Sequence, residues 1–132
     1  MSDTLDASAL LAYLHGEAGA ERVAEAIAEG AIISSANLAE VLTKRADAGD
    51  HPAAVAARLV ENGLLGGALA VVDLNFDDAV EIAKLRGSIR SVGLSLGDRA
   101  CLALARRYGA RVLTADAAWA RLDIGVRVET IR

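Results

Sequence analysis

A chain of 132 residues in which Ala, Val, Leu and Ile abound is long enough to bury a sizeable core, which excludes an intrinsically disordered segment. Its only aromatic residues are Tyr13, Phe76, Tyr108 and Trp119, and its formal charge is −4, so neither a platform of stacking rings nor a broad basic face is available to hold nucleic acid. No basic, apolar leader opens the chain and no segment reaches the roughly 18 apolar residues of a membrane span, so a cytosolic protein with no membrane partner is expected.

Leu5 ends a short extended stretch, and the chain then turns into a helix with Leu10, Leu11 and Leu14 on one side. Asp6 stands at that switch, where an isolated aspartate reads as a helix cap. A second helix is expected from about Ala18 to Ala28, stopped by Gly30, and Ala31-Ile32-Ile33 reads as a short buried strand. Ser34 and Ser35 cap a helix from Ala36 to about Ala48, whose apolar line is Leu38, Val41 and Leu42. Glu40 is off that line. Its local reading is an ion pair with Lys44 one turn later, worth about 0.2–0.5 kcal/mol. Pro52 suits the first turn of the next helix, which runs to about Glu61 and stops at Asn62-Gly63.

The loop from Gly63 to Gly67 lacks the Lys-Ser/Thr pair and the glycine spacing of a phosphate cradle. Leu69 to Leu74 reads as a strand, and Asn75 caps a helix carrying Val80, Ile82, Leu85 and Ile89. Asp73, Asp77 and Asp78 read as cap and solvent-face residues. From Ala100 to Ala105 there is no polar residue, so that helix is expected to be buried on most of its circumference, with Asp98 in its first turn. A capping box from Ser95 to Asp98, worth roughly 0.5–2 kcal/mol, accounts for Asp98 as well as a chemical role does. Cys101 is single and sits in this apolar run, so it reads as a packing residue. After Gly109, Arg111 to Thr114 forms a strand with Ala115-Asp116 at its carboxyl end. A helical turn with Trp119 and Leu122 leads to a last strand, Val126 to Glu129.

The alternation of strands with helices predicts one α/β domain over residues 1–132, a three-layer α/β/α sandwich with a central parallel sheet. Sites in such sheets lie at the carboxyl ends of the strands, near the reversal of strand order. Asp6 and Asp116 follow their strands directly, Asp98 opens its helix, and Glu40 lies about two turns into its own. Carboxylates brought together there repel or take up protons unless hard divalent cations neutralise them, and two such ions would balance four acids. His15 and His51 lie in unrelated polar contexts and read as surface residues.

Four pieces, Leu5-Asp6-Ala7-Ser8, Asn37-Leu38-Ala39-Glu40, Leu96-Gly97-Asp98-Arg99 with the apolar run after it, and Leu113-Thr114-Ala115-Asp116 with Trp119, give the chain a resemblance to the PIN-domain nucleases. It resembles in particular the VapC-type ribonuclease toxins of bacterial toxin–antitoxin pairs, over nearly its whole length. The resemblance implies a PIN-like fold and a metal-dependent endoribonuclease. It also implies that Asp6, Glu40, Asp98 and Asp116 are the catalytic, metal-binding acids, supported by hydrogen bonds from Ser8 and Thr114. Mg2+ or Mn2+ would be the cofactor and RNA the substrate, attacked by a water that the metal activates. Arg99, Lys44 and Arg86 are the cations expected to meet RNA phosphates. The implied partners are a cognate VapB-type antitoxin, sending a basic residue into the acidic pocket, and a second copy of the chain. The alanine-rich helices 18–28 and 36–48 offer shallow apolar surface for a partner helix.

Three rival readings are weaker. A phospho-accepting receiver needs a Lys at the end of a late strand, and no Lys follows Lys84. A haloacid-dehalogenase-like phosphatase needs Asp-x-Asp where this chain has Asp6-Ala7-Ser8. A non-catalytic interaction protein on the PIN fold is the serious alternative, and metal binding and RNA cleavage discriminate it.

Overall fold

The structure, a computed structural model, describes residues 2–88 and 93–132. In chain order its elements are β1 (Asp3–Leu5), α1 (Ala7–His15), α2 (Ala20–Ala28), β2 (Ala31–Ser34), α3 (Ser35–Asp47), α4 (Pro52–Glu61), β3 (Leu69–Val72), α5 (Phe76–Ser88), α6 (Leu96–Tyr108), β4 (Val112–Thr114), a 3₁₀ turn (Ala117–Arg121) and β5 (Val128–Thr130). The strands form one sheet in the order β3-β2-β1-β4-β5, and every pairing is parallel. Parallel neighbours cannot be joined by a tight turn, so helices carry each crossover from β1 to β4, and the helices then cover the sheet.

Two cores lie on the two faces. Leu5, Ile33, Leu69 and Leu113 face Leu10, Val23, Ile27, Val41 and Leu59 of α1 to α4. Val112 and Val128 face Ile82 and Leu85 of α5, Cys101 and Ala105 of α6, and Trp119 of the 3₁₀ turn. Adjacent residues of β4, Val112 and Leu113, thus feed opposite cores, as the two-residue period of a strand requires. This is the three-layer sandwich expected from the sequence.

Two boundaries differ from expectation. α2 starts at Ala20, not Ala18, because Gly19 takes a φ of 96° before it. Gly19 also lies against Ile131 so closely that a Cβ would come within 2.7 Å of that residue's carbonyl oxygen. The last strand is Val128–Thr130 and not Val126–Glu129, since the register with β4 pairs Val112 with Val128 and Thr114 with Thr130. Ile89, expected on the apolar line of α5, lies outside the described residues.

At the amino ends of the strands, buried Asp3 takes Arg111 Nε at 3.1 Å, and Arg22 Nε meets Glu129 Oε2 at 2.6 Å. That network ties α2, β1 and β5 together and leaves the opposite rim open. There the strand order reverses between β1 and β4, and Asp6 and Thr114 stand side by side.

Candidate active site

Asp6 is both the cap of α1 and the innermost acid of a pocket. Its Oδ1 accepts from Ala9 N at 2.8 Å and Ser8 Oγ at 2.7 Å, and its Oδ2 accepts from Thr114 Oγ1 at 2.5 Å. Only 5% of the residue is exposed. Burial raises the Asp6 pKa above the ordinary carboxylate range, the bonds from Thr114, Ala9 and Ser8 oppose that rise, and the charge of Asp98 adds to it. Ser8 Oγ also accepts from Ala115 N at 2.9 Å, and Thr114 Oγ1 accepts from Asp116 N at 3.1 Å. The two hydroxyls therefore link the end of β1 to the end of β4 around one carboxylate.

Asp98 makes the capping box: Ser95 N donates to its Oδ2 at 3.0 Å, and its own N donates to Ser95 Oγ at 3.1 Å. Asp98 also lines the pocket, with Asp6, Ala7, Ser8, Leu11, Glu40 and Lys44, around a volume of about 190 Å³. Capping and pocket placement are thus compatible, because the cap uses one oxygen. Glu40 Oε1 accepts from Asn37 Nδ2 at 2.9 Å. The ion pair with Lys44 expected from the helical spacing does not form among the described residues, and Lys44 lines the pocket instead.

Asp6, Glu40 and Asp98 therefore share one pocket. Asp116 is not among its lining residues; it is exposed and caps the 3₁₀ turn, with Oδ1 accepting from Ala118 N at 3.0 Å. Its tie to the pocket is the chain of bonds from its N to Thr114 Oγ1 and on to Asp6. Behind the pocket, burial pushes the Cys101 thiol well up, and the charges of Asp6, Asp98 and Glu40 push it further.

The expected phosphate-binding cations separate. Arg99 is a correction: it is 9% exposed, its Nη1 donates to the Ile82 carbonyl at 3.0 Å, and it packs between α6 and α5 away from the pocket. Successive helical residues point about 100° apart, so adjacency to Asp98 in sequence does not give adjacency in the site. Arg86 is exposed near the end of α5 and is not among the residues lining the pocket. His15 is exposed and bonds to Arg45, and His51 precedes α4 without a side-chain cap bond.

The sequence reading missed the role of two residues here, although both stand in the matching pieces. Asn37 is 1% exposed, and its Nδ2 donates to Glu40 Oε1 and to the Gly97 carbonyl, each at 2.9 Å. A Cβ on Gly97 would collide with the Glu40 carboxylate. A buried, polar Asn three residues before an acid on a helix is the signal that points to the first.

The donor chemistry suits a hard divalent cation: three carboxylates on one pocket, of which Glu40 Oε2 and Asp98 Oδ1 take no hydrogen bond from the described residues. Among the described residues no three His, Cys, Asp or Glu side chains stand close enough to hold an ion as they are. Asp6, Glu40 and Asp98 are the residues that would hold such an ion.

Comparison with known proteins places the fold. The PIN domain family model matches residues 4–125. No curated protein sequence matches the chain. Among solved structures it is similar to a toxin–antitoxin complex from Klebsiella pneumoniae, at 20% identity and a TM-score of 0.75 over 99% of this chain and 98% of that one. It is similar to the DNA-bound VapBC of Salmonella typhimurium at 18% identity and a TM-score of 0.72, over 100% and 99% of the two chains. A third is VapC20 of Mycobacterium tuberculosis, a sarcin–ricin loop cleaving toxin, at 22% identity and a TM-score of 0.71 over 96% and 99%. At these identities the likeness is one of fold.

Proposed function

The chain belongs to the PIN-domain family, and on that premise we propose that it is a metal-dependent endoribonuclease, the toxin of a toxin–antitoxin module, acting on RNA in the cytoplasm. The observation that carries this reading is the meeting of Asp6, Glu40 and Asp98 on one pocket at the reversal of strand order. The names of the structural neighbours support it, since they are toxin–antitoxin complexes and a toxin that cleaves the sarcin–ricin loop.

Asp6, Glu40 and Asp98 would hold Mg2+ or Mn2+, with Asp116 brought in from the rim on the same Thr114 hydroxyl that fixes Asp6. When bound, such an ion offsets the charge that builds on the phosphodiester and lets water attack it at neutral pH. The protein's part is placement. Ser8 and Thr114 fix both oxygens of Asp6, so this acid is oriented before anything binds. The Ser95 cap fixes one oxygen of Asp98 and leaves the other for the pocket. Lys44, exposed on the same wall, meets a phosphate oxygen and orients the strand to be cut.

A nuclease of this kind needs restraint, and an antitoxin of VapB type whose basic side chain enters the pocket would supply it, with a second copy of the toxin completing the assembly. A non-catalytic reading has one observation in its favour, the outward placement of Asp116. Incubating the antitoxin-free chain with total cellular RNA and Mg2+ or Mn2+, with and without chelator, decides between them. Discrete fragments that need the metal and vanish in Asp98→Asn establish the nuclease. Intact RNA, with no metal-induced rise in melting temperature, returns the fold to a binding role. The asparagine still accepts the Ser95 bond, so this variant keeps the cap.

A further inference from the structure

The buried side chain that the proposed chemistry leaves unused is Asn37. It sits at the third position of α3, after Ser34, and all of its amide atoms are engaged. Its Oδ1 accepts from Ser34 Oγ at 2.5 Å, its backbone N donates to the same hydroxyl at 3.0 Å, and its Nδ2 makes the two 2.9 Å bonds to Glu40 Oε1 and the Gly97 carbonyl. The partners determine which way the amide faces: rotated by half a turn, its oxygen would oppose a carboxylate and a carbonyl, both acceptors.

Gly97 is the other jaw. It immediately precedes Asp98, and any Cβ there would occupy the space of the Glu40 carboxylate. The turn that carries Asp98 and the side chain of Glu40 are therefore joined through one amide, across the contact of α3 with α6, although 60 positions separate Asn37 from Gly97 in the chain.

We infer that Asn37 and Gly97 form a clamp that sets the Glu40 carboxylate relative to Asp98, making Asn37 a positioning residue of the metal site. The inference rests on the metal-centre reading above and deepens it. An amide suits the task because it is a neutral donor: it orients the carboxylate without cancelling the charge a cation needs. A Lys or Arg in its place would compete with that cation. Partners of this kind around metal ligands are worth about ten- to a hundredfold in affinity when removed.

A merely structural Asn would hold α3 to α6 and do no more, so the test separates affinity from stability. Mn2+ binding is followed by titration calorimetry in the unmutated chain and in Asn37→Ala, Glu40→Gln and the double variant, with a thermal melt of each. The expected result is a fall in Mn2+ affinity of about ten- to a hundredfold in Asn37→Ala, with no further fall when Glu40→Gln is already present. Gly97→Ala covers the case in which Asn37→Ala does not fold. Alanine favours the helix, and the group it displaces is only the flexible end of Glu40, so this variant folds and should lose affinity to a similar extent. If Glu40→Gln weakens Mn2+ but Asn37→Ala and Gly97→Ala bind it as the unmutated chain does, the clamp is overturned and the metal reading stands. If the unmutated chain binds no Mn2+, both are overturned together; if it binds Mn2+ and Glu40→Gln binds it unchanged, the clamp alone is overturned.

Discussion

Thr114 Oγ1 donates to Asp6 Oδ2 at 2.5 Å across the junction of β4 and β1, at a point where both residues are buried. A carboxylate placed in the interior needs donors, and this hydroxyl comes from the strand on the far side of the reversal in order. Thr114→Val keeps the β-branched shape and removes the donor. We expect a loss of about 1–3 kcal/mol in unfolding free energy, the cost of leaving a buried acceptor without its donor, measured by urea denaturation. Unchanged stability would mean that the Thr114 bond contributes nothing to holding the acid.

The raised Asp6 pKa makes stability depend on pH in a definite direction. Burial is the main cause, so the folded chain holds the Asp6 proton more tightly than the unfolded chain does. The contribution of Asp6 is most favourable below its unfolded pKa and is lost as pH rises through the folded value, above which it is level. Without metal, the melting temperature of the unmutated chain should therefore fall across that window relative to Asp6→Asn, whose side chain does not titrate. Mn2+ should reverse the fall above the window, because it binds the ionised acid. A difference between the two chains that is flat with pH would contradict the assignment.

The bond of Thr114 to Asp6 was implied by the family resemblance, and order and type of the elements were legible because hydrophobic period and caps are local properties. Position within a strand was less so. Val126 and Val128 offer the same alternation, and only pairing with Val112 selects the second. Arg99 was misplaced because the charge beside an acid in sequence points elsewhere on a helix, here toward the Ile82 carbonyl. Asn37 stayed hidden because its second partner, Gly97, lies on another helix, and no local pattern states that contact. The outward side chain of Asp116 likewise depends on the 3₁₀ turn it caps, a local bond that competes with the pocket.

Ser95 and Asp98 allow capping and chemistry to be pulled apart. Ser95→Ala removes the hydroxyl that accepts from Asp98 N but leaves the Ser95 amide bonded to Asp98 Oδ2. It should cost about 0.5–2 kcal/mol of stability and keep RNA cleavage at saturating substrate within a few-fold of the unmutated rate. Asp98→Asn should do the reverse, melting near the unmutated chain while cleavage disappears. If both variants lost stability and activity in proportion, Asp98 would be a cap and nothing more.

Lys44 and Arg99 give the sharpest contrast, since Arg99 was the first candidate in sequence, with Lys44 behind it, and the two occupy opposite environments. Lys44 is exposed on the pocket wall and makes no ion pair with the described residues, so it is free to meet a phosphate. Arg99 is buried between α5 and α6, with its Nε unbonded among the described residues. Lys44→Ala should raise KM for RNA several-fold with kcat little changed, and reduce the slope of log affinity against log salt by about 0.7, the share of one phosphate contact on a single strand. Arg99→Met should leave KM and the salt slope alone. Because a buried, partly bonded guanidinium is costly to desolvate, a methionine of similar volume should leave the chain at least as stable. Steady-state cleavage at several salt concentrations, with a urea melt of each variant, checks both halves. A raised KM in Arg99→Met with Lys44→Ala unaffected would place the phosphate on the other side of α6.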